Sequence, residues 1–129
     1  MHTLIICLFI ACLLPFLSKL PVAFAMKNMQ GGYDNNHPRD QQAKLTGFGA
    51  RALAAHKNEF EALTVFAAAI VTSLALKQYS PTTQNLAILY LLSRVIYQFT
   101  YLINWGSFRT LVWLIGTLSS LGILWLCII

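Results

Sequence analysis

The sequence predicts an all-α membrane protein, an up-down bundle of four transmembrane helices forming a single domain over residues 1–129. Three observations predict it. Hydrophobic residues make up 57% of the chain and charged residues 10%, where a soluble domain carries about 25% charged residues. The apolar residues fall into four blocks, 3–25, 62–76, 86–103 and 108–129, and a spanning helix needs roughly 20 residues. The last two connections are only a few residues long, which makes consecutive helices antiparallel neighbours.

Helix 1 is expected over about 3–25. Pro15 and Pro21 fall inside it, and membrane helices tolerate proline because neighbours satisfy the freed carbonyl groups. The segment shares one trait with a signal peptide, the Ala23-Phe24-Ala25 tripeptide. Against that reading, no Lys or Arg precedes the apolar run, the run is too long, and Lys19 interrupts it. A retained membrane helix is expected. Residues 26–45 form a polar loop with turns at Gly31-Gly32 and Asn36-His37-Pro38. Asp40 is the expected N-cap of helix 2.

Helix 2 is expected from about 41 to 77, longer than a bilayer is thick, so that its first turns project from the membrane. Its short apolar block becomes a span only when the preceding RALAAHKNEFE turns are included. Ser80-Pro81-Thr82-Thr83 makes the next connection, helix 3 covers about 83–103, Asn104 to Ser107 form a short turn, and helix 4 covers about 108–128.

The formal net charge is +5. The nine basic residues are scattered and form no dense stripe with interleaved aromatics, which argues against a nucleic-acid partner. The charge reads instead as a topology signal, placing loops 26–45 and 104–107 in the cytoplasm. Cys7, Cys12 and Cys127 lie in apolar blocks without a CxxC pattern and read as packing residues. His56 has no second histidine or cysteine near it, so no metal site is expected.

The polar residues inside the helices carry the functional information. Ionisable groups at membrane depth persist where they meet other helices, water or a bound polar ligand. At about 100° per residue, Arg51, Asn58 and Glu61 share an arc of about 80° on helix 2. His56 points nearly the other way and reads as structural or as a subunit contact. On helix 3, Tyr90, Arg94, Tyr97 and Tyr101 fall within about 60°. Arg94 cannot lose its proton and needs a counter-charge; Glu61, the nearest acid in depth on an adjacent helix, is the expected partner. Helix 4 opens with Arg109, Thr110 and Trp113. A cation beside a hydroxyl at a helix start suits an anion or a thiolate, although an arginine snorkelling to lipid headgroups gives the same pattern.

With these residues in view, the chain resembles the MAPEG family, the membrane-associated proteins of eicosanoid and glutathione metabolism. The resemblance covers roughly residues 45–120 and extends loosely to helix 1. The helix 2 segment, Arg51 to Glu61, is similar to a family signature of the form RxxRAHxNxxE, with Ala54 in place of the second arginine. Arg94, Tyr101 and Arg109 match the pattern of helices 3 and 4. Tyr97 stands where some members have histidine, Thr110 replaces serine, and Trp113 replaces tyrosine. The GYDNNHPRDQ loop resembles a bacterial branch of the family, which implies the bacterial inner membrane.

The resemblance implies a homotrimer in membrane lipid, with glutathione bound between subunits near the cytoplasmic face and a lipophilic second substrate. Lys57, Asn58 and Glu61 would contact glutathione, Tyr97 and Tyr101 would line the pocket, and Arg51 and Arg94 would form or support it. Arg109 would stabilise the glutathione thiolate, with Thr110 as a hydroxyl donor to the sulfur. The implied activity is a glutathione-dependent transferase or peroxidase acting on lipophilic electrophiles or lipid hydroperoxides. The alternative is a non-catalytic lipid-binding or scaffold protein of the same family, a reading that Ala54 and Trp113 favour.

Overall fold

The computed structural model describes residues 1–129 and is all helical. Five helices follow one another: α1 (His2–Lys27), α2 (Pro38–Ala43), α3 (Gly47–Ala75), α4 (Pro81–Leu102) and α5 (Gly106–Leu126). Helices α1, α3 and α5 are long and apolar enough to cross a membrane. Helix α4 is as long as α5, but Gln84, Asn85, Arg94 and Gln98 make it the least apolar of the four. Many large apolar side chains, among them Phe16, Leu20, Phe99 and Trp125, stand exposed on the outside of the bundle. A helical chain with that surface is an integral membrane protein.

The four long helices run alternately up and down. At one end, the Arg51 Nε near the start of α3 donates to the Leu102 carbonyl oxygen at the end of α4 (3.4 Å). Val22 and Met26 from the end of α1 pack on Ala52 at the same level. At the other end, the first turns of α1 (Leu4, Cys7) meet Ile70 of α3 and Ile123 of α5. The buried positions explain why each helix turns the face it does. On α3 they are Gly49, Ala52, Ala55, His56, Glu59, Phe66, Ala69, Ile70 and Ser73, which recur every three or four residues apart from the adjacent pairs Ala55-His56 and Ala69-Ile70 and the gap between Glu59 and Phe66. On α1 they are Leu4, Cys7, Ala11, Pro15, Ser18, Val22 and Met26, with the same alternation. Such spacing keeps one stripe of each helix against the bundle. Phe66 and Tyr90 stack ring on ring across the α3–α4 contact, 3.8 Å between centroids.

Two sequence expectations are corrected. Helix 2 is not continuous over 41–77. It is divided into α2 and α3 by a turn at Lys44, Leu45 and Thr46, and Gly47 follows in the left-handed region at φ +54°. The cause is tertiary. The Leu45 side chain lies so close to Gly49 that a Cβ there would sit 2.8 Å from its Cδ2 and 3.0 Å from Ala25 Cβ. Meanwhile the Gln41 amide ties α2 back to the preceding loop, donating to the carbonyls of Gly32 (2.7 Å) and Met26 (3.3 Å) and accepting from the Asp34 N–H (2.9 Å). Asp40 is not the N-cap either. The short helix starts at His37-Pro38, where the proline ring presets the first helical φ and needs no N–H partner. Asp34 organises that start, its Oδ1 accepting from the Asn36 and His37 backbone N–H groups (both 3.0 Å). The His37 N–H first, and then that of Asn36, hold its carboxyl below the ordinary value. A lowered carboxyl pKa stabilises the fold above its unfolded value, so this turn loosens only as pH falls through the lowered one.

Helix α5 approaches α4 closely at Gly116, where an added Cβ would lie 2.5 Å from Ser93 Oγ. Substituting Gly116 by Ala should therefore destabilise the α4–α5 contact by about 1–3 kcal/mol, as overpacking does. Adding Ser93→Ala to the same chain should restore most of the loss. Thermal unfolding in detergent checks both, and an unchanged midpoint for Gly116→Ala would count against the close approach.

Candidate functional site

The site is built from the polar stripe of α3 and the matching face of α4. Arg94 is 1% exposed, and its guanidinium is engaged along an edge by hydrogen bonds and on one face by an aromatic ring. Its Nε and Nη2 donate to the two carboxylate oxygens of Glu59 (3.3 and 3.1 Å), a bidentate pairing. Its Nη2 also donates to Asn58 Oδ1 (2.9 Å), and its Cζ lies 4.2 Å from the centre of the Tyr97 ring. Glu59 is itself buried at 3% exposure. The counter-ion of Arg94 is thus Glu59, and the expected Arg94–Glu61 pair is not formed. Glu61 is exposed and accepts from Asn58 Nδ2 (2.9 Å). Asn58 connects the two, and the polar groups form one chain, Glu59–Arg94–Asn58–Glu61.

Glu59 was hidden by its neighbours in sequence. It sits three residues after His56, on the side that the packing stripe buries, whereas Glu61 leans outward. The spacing Gly49, Ala52, His56, Glu59 is the signal that singles it out. His56, expected to point away, does so: its Nδ1 lies 3.0 Å from the Pro15 carbonyl oxygen and 2.9 Å from Ser18 Oγ, both on α1. Its role in this chain is to fasten α3 to α1.

Two clefts open on the α5 side. One, of about 210 Å³, is lined by Asn58, Glu61, Tyr90, Arg94, Trp113 and Thr117, among others. The second, also about 210 Å³, is lined by Tyr97, Tyr101, Arg109, Thr110 and Trp113. Trp113 is common to both. Tyr97 and Tyr101 meet edge to face, 5.6 Å between centroids. The Arg109 Cζ lies 4.2 Å from the centre of the Tyr101 ring. No carboxylate lies within ion-pair distance of Arg109, so its N–H donors face the cleft without an acidic partner. Thr110 Oγ1 donates to the Gly106 carbonyl oxygen (3.2 Å), leaving its lone pairs directed elsewhere. A cation on an aromatic face, with a hydroxyl beside it, attracts an anion or a thiolate.

Seven of the nine sequence-predicted residues therefore line the two adjoining clefts: Asn58, Glu61, Arg94, Tyr97, Tyr101, Arg109 and Thr110. Arg51 and Lys57 line neither. Arg51 is engaged with the end of α4, and Lys57 is exposed on α3. Sequence reasoning missed Glu59, Thr117 and Ser120. The last two lie one and two turns beyond Trp113 on α5, and their short side chains look like ordinary helix packing in the sequence. No group of three His, Cys, Asp or Glu side chains is placed to hold a metal ion.

The pairing predicts an asymmetry between two glutamates two residues apart. Glu59→Leu should cost about 3–5 kcal/mol by leaving Arg94 buried and unpaired, and Glu59→Leu with Arg94→Met should recover most of it. Glu61→Leu should change stability by no more than about 0.5 kcal/mol, as surface substitutions do. Denaturant unfolding in micelles measures all three, and equal losses at Glu59 and Glu61 would contradict the pairing.

Comparison with known proteins bears on what this arrangement is. No curated protein and no solved structure matches the chain. One family model, that of the MAPEG family, matches residues 3–129. Since that match takes in α1 through α5, and with them both clefts and the buried ion pair, the chain belongs to the MAPEG family.

Proposed function

We propose that this protein is a glutathione-dependent membrane transferase or peroxidase whose second substrate is a lipophilic electrophile or a lipid hydroperoxide. The observation that carries the proposal is the cleft in which Arg109, free of any acidic partner, lies with Thr110, Tyr97 and Tyr101 at the charged end of the bundle. Family membership supports glutathione as the co-substrate.

In this reading Arg109 and Thr110 are the catalytic residues. The Arg109 guanidinium lowers the pKa of the glutathione thiol, and the Thr110 hydroxyl, turning from the Gly106 carbonyl oxygen, donates its one proton to the sulfur, so that the thiolate carries the reaction. With an electrophile, the sulfur lone pair forms a carbon–sulfur bond and the leaving group departs with its electron pair. With a hydroperoxide, two glutathione molecules are oxidised to the disulfide, while the peroxide is reduced to an alcohol and water. Tyr97 and Tyr101 line the thiol end. Asn58 and Glu61, held by the Arg94 network, bind the polar backbone and ammonium group of the tripeptide. Lys57 and Arg51 lie outside the clefts of the single chain, and a homotrimer would bring them to a neighbour's cleft. The many exposed apolar side chains leave surface for such an assembly within the lipid.

We further propose that α4 is a fourth span, with Arg94 neutralised by Glu59 inside it, and that the chain forms a single domain. The basic residues Lys27, Arg39, Lys44 and Arg51 gather at the end that holds the clefts, which supports a cytoplasmic placement of that end in a bacterial inner membrane. Glutathione would then enter from the cytosol and the apolar substrate from the bilayer.

Two measurements test the function. Purified protein with millimolar glutathione should show thiolate absorbance, and Arg109→Ala should abolish it; Tyr101→Phe should weaken it. Turnover of a model electrophile should rise with pH through an inflection below about 8.5, the value of a free thiol. Arg109→Ala should return the inflection to that value and lower the rate by about 10²–10³, the usual loss on removing one electrostatic stabiliser. A wild-type protein with neither thiolate signal nor turnover would instead fit the non-catalytic alternative.

A further inference from the structure

Four aromatic rings line the two clefts on the α5 side: Tyr90, Tyr97, Tyr101 and Trp113. Three of them are already covered. Tyr90 stacks on Phe66, Tyr97 lies under Arg94, and Tyr101 lies under Arg109. Trp113 is different. No ring and no cation of the chain packs on its indole, although it alone lines both clefts. It is 40% exposed, whereas Tyr90 and Tyr97 are buried, so it is the ring that a molecule arriving from outside the bundle meets. Arg109 and Trp113 are four residues apart on α5 and therefore share a face, about 6 Å apart along the axis. Past the Trp113 level the Asn58–Glu61 cleft changes character. Asn58 and Glu61 give way to Ala62 and Val65 on α3, and Gly116 on α5 has no side chain. Those small residues leave room beside the indole, and the buried Tyr90 and Arg94 form the inner wall. At about 210 Å³, the cleft is smaller than the roughly 300–1,000 Å³ of pockets that hold whole drug-sized molecules. The larger cavity between α1 and α4, about 350 Å³ with Arg94 and Gln98 in its wall, offers almost only apolar surface and selects no occupant.

We propose that, within the glutathione-dependent reaction on which this inference rests, Trp113 selects the second substrate, and that the class it selects is a planar, electron-poor arene carrying a leaving group rather than a long-chain lipid hydroperoxide. Three features point to that chemistry. An indole face is electron-rich, and a bare one holds a flat, electron-poor ring in an offset stack. The room beside the indole is short and walled by Tyr90 and Arg94, which suits one or two rings, whereas an acyl chain needs an extended groove. A ring held on Trp113 also lies next to the place where Arg109 and Thr110 hold the sulfur, which brings the reacting carbon towards the thiolate. The sulfur lone pair forms a bond to that ring carbon, and the leaving group departs as an anion with the electron pair of the broken bond. No further reactant is needed. Trp113 binds and orients the arene and exchanges no proton with it.

The test uses the full-length protein in detergent and has two arms. The first reads the ratio of kcat/KM for 1-chloro-2,4-dinitrobenzene to that for linoleic acid hydroperoxide, with glutathione as co-substrate. Trp113→Leu should lower that ratio about tenfold through a higher KM for the arene, the scale of losing one ring-on-ring contact. Trp113→Phe, which keeps a ring, should retain most of the ratio. The second arm needs no glutathione. In a chain carrying Trp105→Phe and Trp125→Phe, unreactive 1,3-dinitrobenzene should quench the fluorescence of Trp113 saturably. In a chain carrying Trp105→Phe and Trp113→Phe, the remaining Trp125, exposed on the same helix, should be quenched without saturation as the micelle takes up the quencher. A ratio unchanged by Trp113→Leu, or equal quenching of Trp113 and Trp125, would overturn the proposal. An unchanged ratio beside a clear glutathione thiolate absorbance removes the Trp113 assignment alone. Saturable quenching of Trp113 without any thiolate signal removes the glutathione reading and upholds the arene site.

Discussion

The polar groups that α3 and α4 share are arranged around one charge that cannot be neutralised by losing a proton. Arg94 lies almost wholly buried in α4, and a guanidinium stays ionised at any accessible pH. A buried charge without a partner is strongly destabilising, while a well-matched pair returns much of its desolvation cost. Glu59 provides the match through two hydrogen bonds, Asn58 adds a third, and the Tyr97 ring covers a face of the cation. The geometry is demanding, because a bidentate pairing fixes orientation as well as distance. It therefore sets the register of α4 against α3. Tyr97 and Tyr101 follow Arg94 by three and seven residues on the same helix face, so their positions opposite Arg109 descend from that register.

The rest of the packing divides the molecule into two ends. Away from the charged loops, Leu4, Cys7, Phe66, Ile70, Ala87, Tyr90 and Ile123 form an apolar core. Toward the loops, the core is thin: Val22, Met26 and Ala52 in one cluster, Ala55, Tyr97 and Val112 in another. Clefts can exist at that end because small residues and hydrogen-bonded polar groups replace interlocking apolar side chains. His56 compensates for the thin core by binding the α1 backbone at Pro15. The apolar end holds the helices together, which leaves the polar end free to carry cavities.

Much of this was legible in the sequence, and the failures have a common cause. Four apolar blocks gave the long helices, and helical periodicity gathered Asn58, Arg94, Tyr97 and Tyr101 near one another. The reading faltered where the outcome depended on which neighbour a side chain meets. Glu59 and Glu61 differ by only about 3 Å in depth, so depth could not choose between them. The choice is made by the stripe that α3 buries, which includes Glu59 through its spacing from Ala52 and His56. The break between α2 and α3 was likewise invisible to periodicity, because it is imposed by Gln41 reaching back to the loop and by Leu45 pressing on Gly49. Those contacts join residues that only the folded chain brings together.

The unusual composition of α4 then has a physical account. Its polar residues make it the least apolar of the long helices, which costs insertion energy at every polar position. They are not spread at random around its surface. Arg94 is turned to α3, and Tyr97 and Tyr101 to the α5 side, where they line the Arg109 cleft. Gln98 lines the cavity on the α1 side. One helix thus forms the wall between two cavities, with Arg94 reaching both. A wall of purely apolar side chains would have been easier to place in a bilayer, but it could offer the Arg109 cleft no polar group. The low hydropathy of α4 follows from the polar groups it turns to α3 and to the α5 side, and the Glu59 carboxylate is what makes such a helix tolerable inside the bundle.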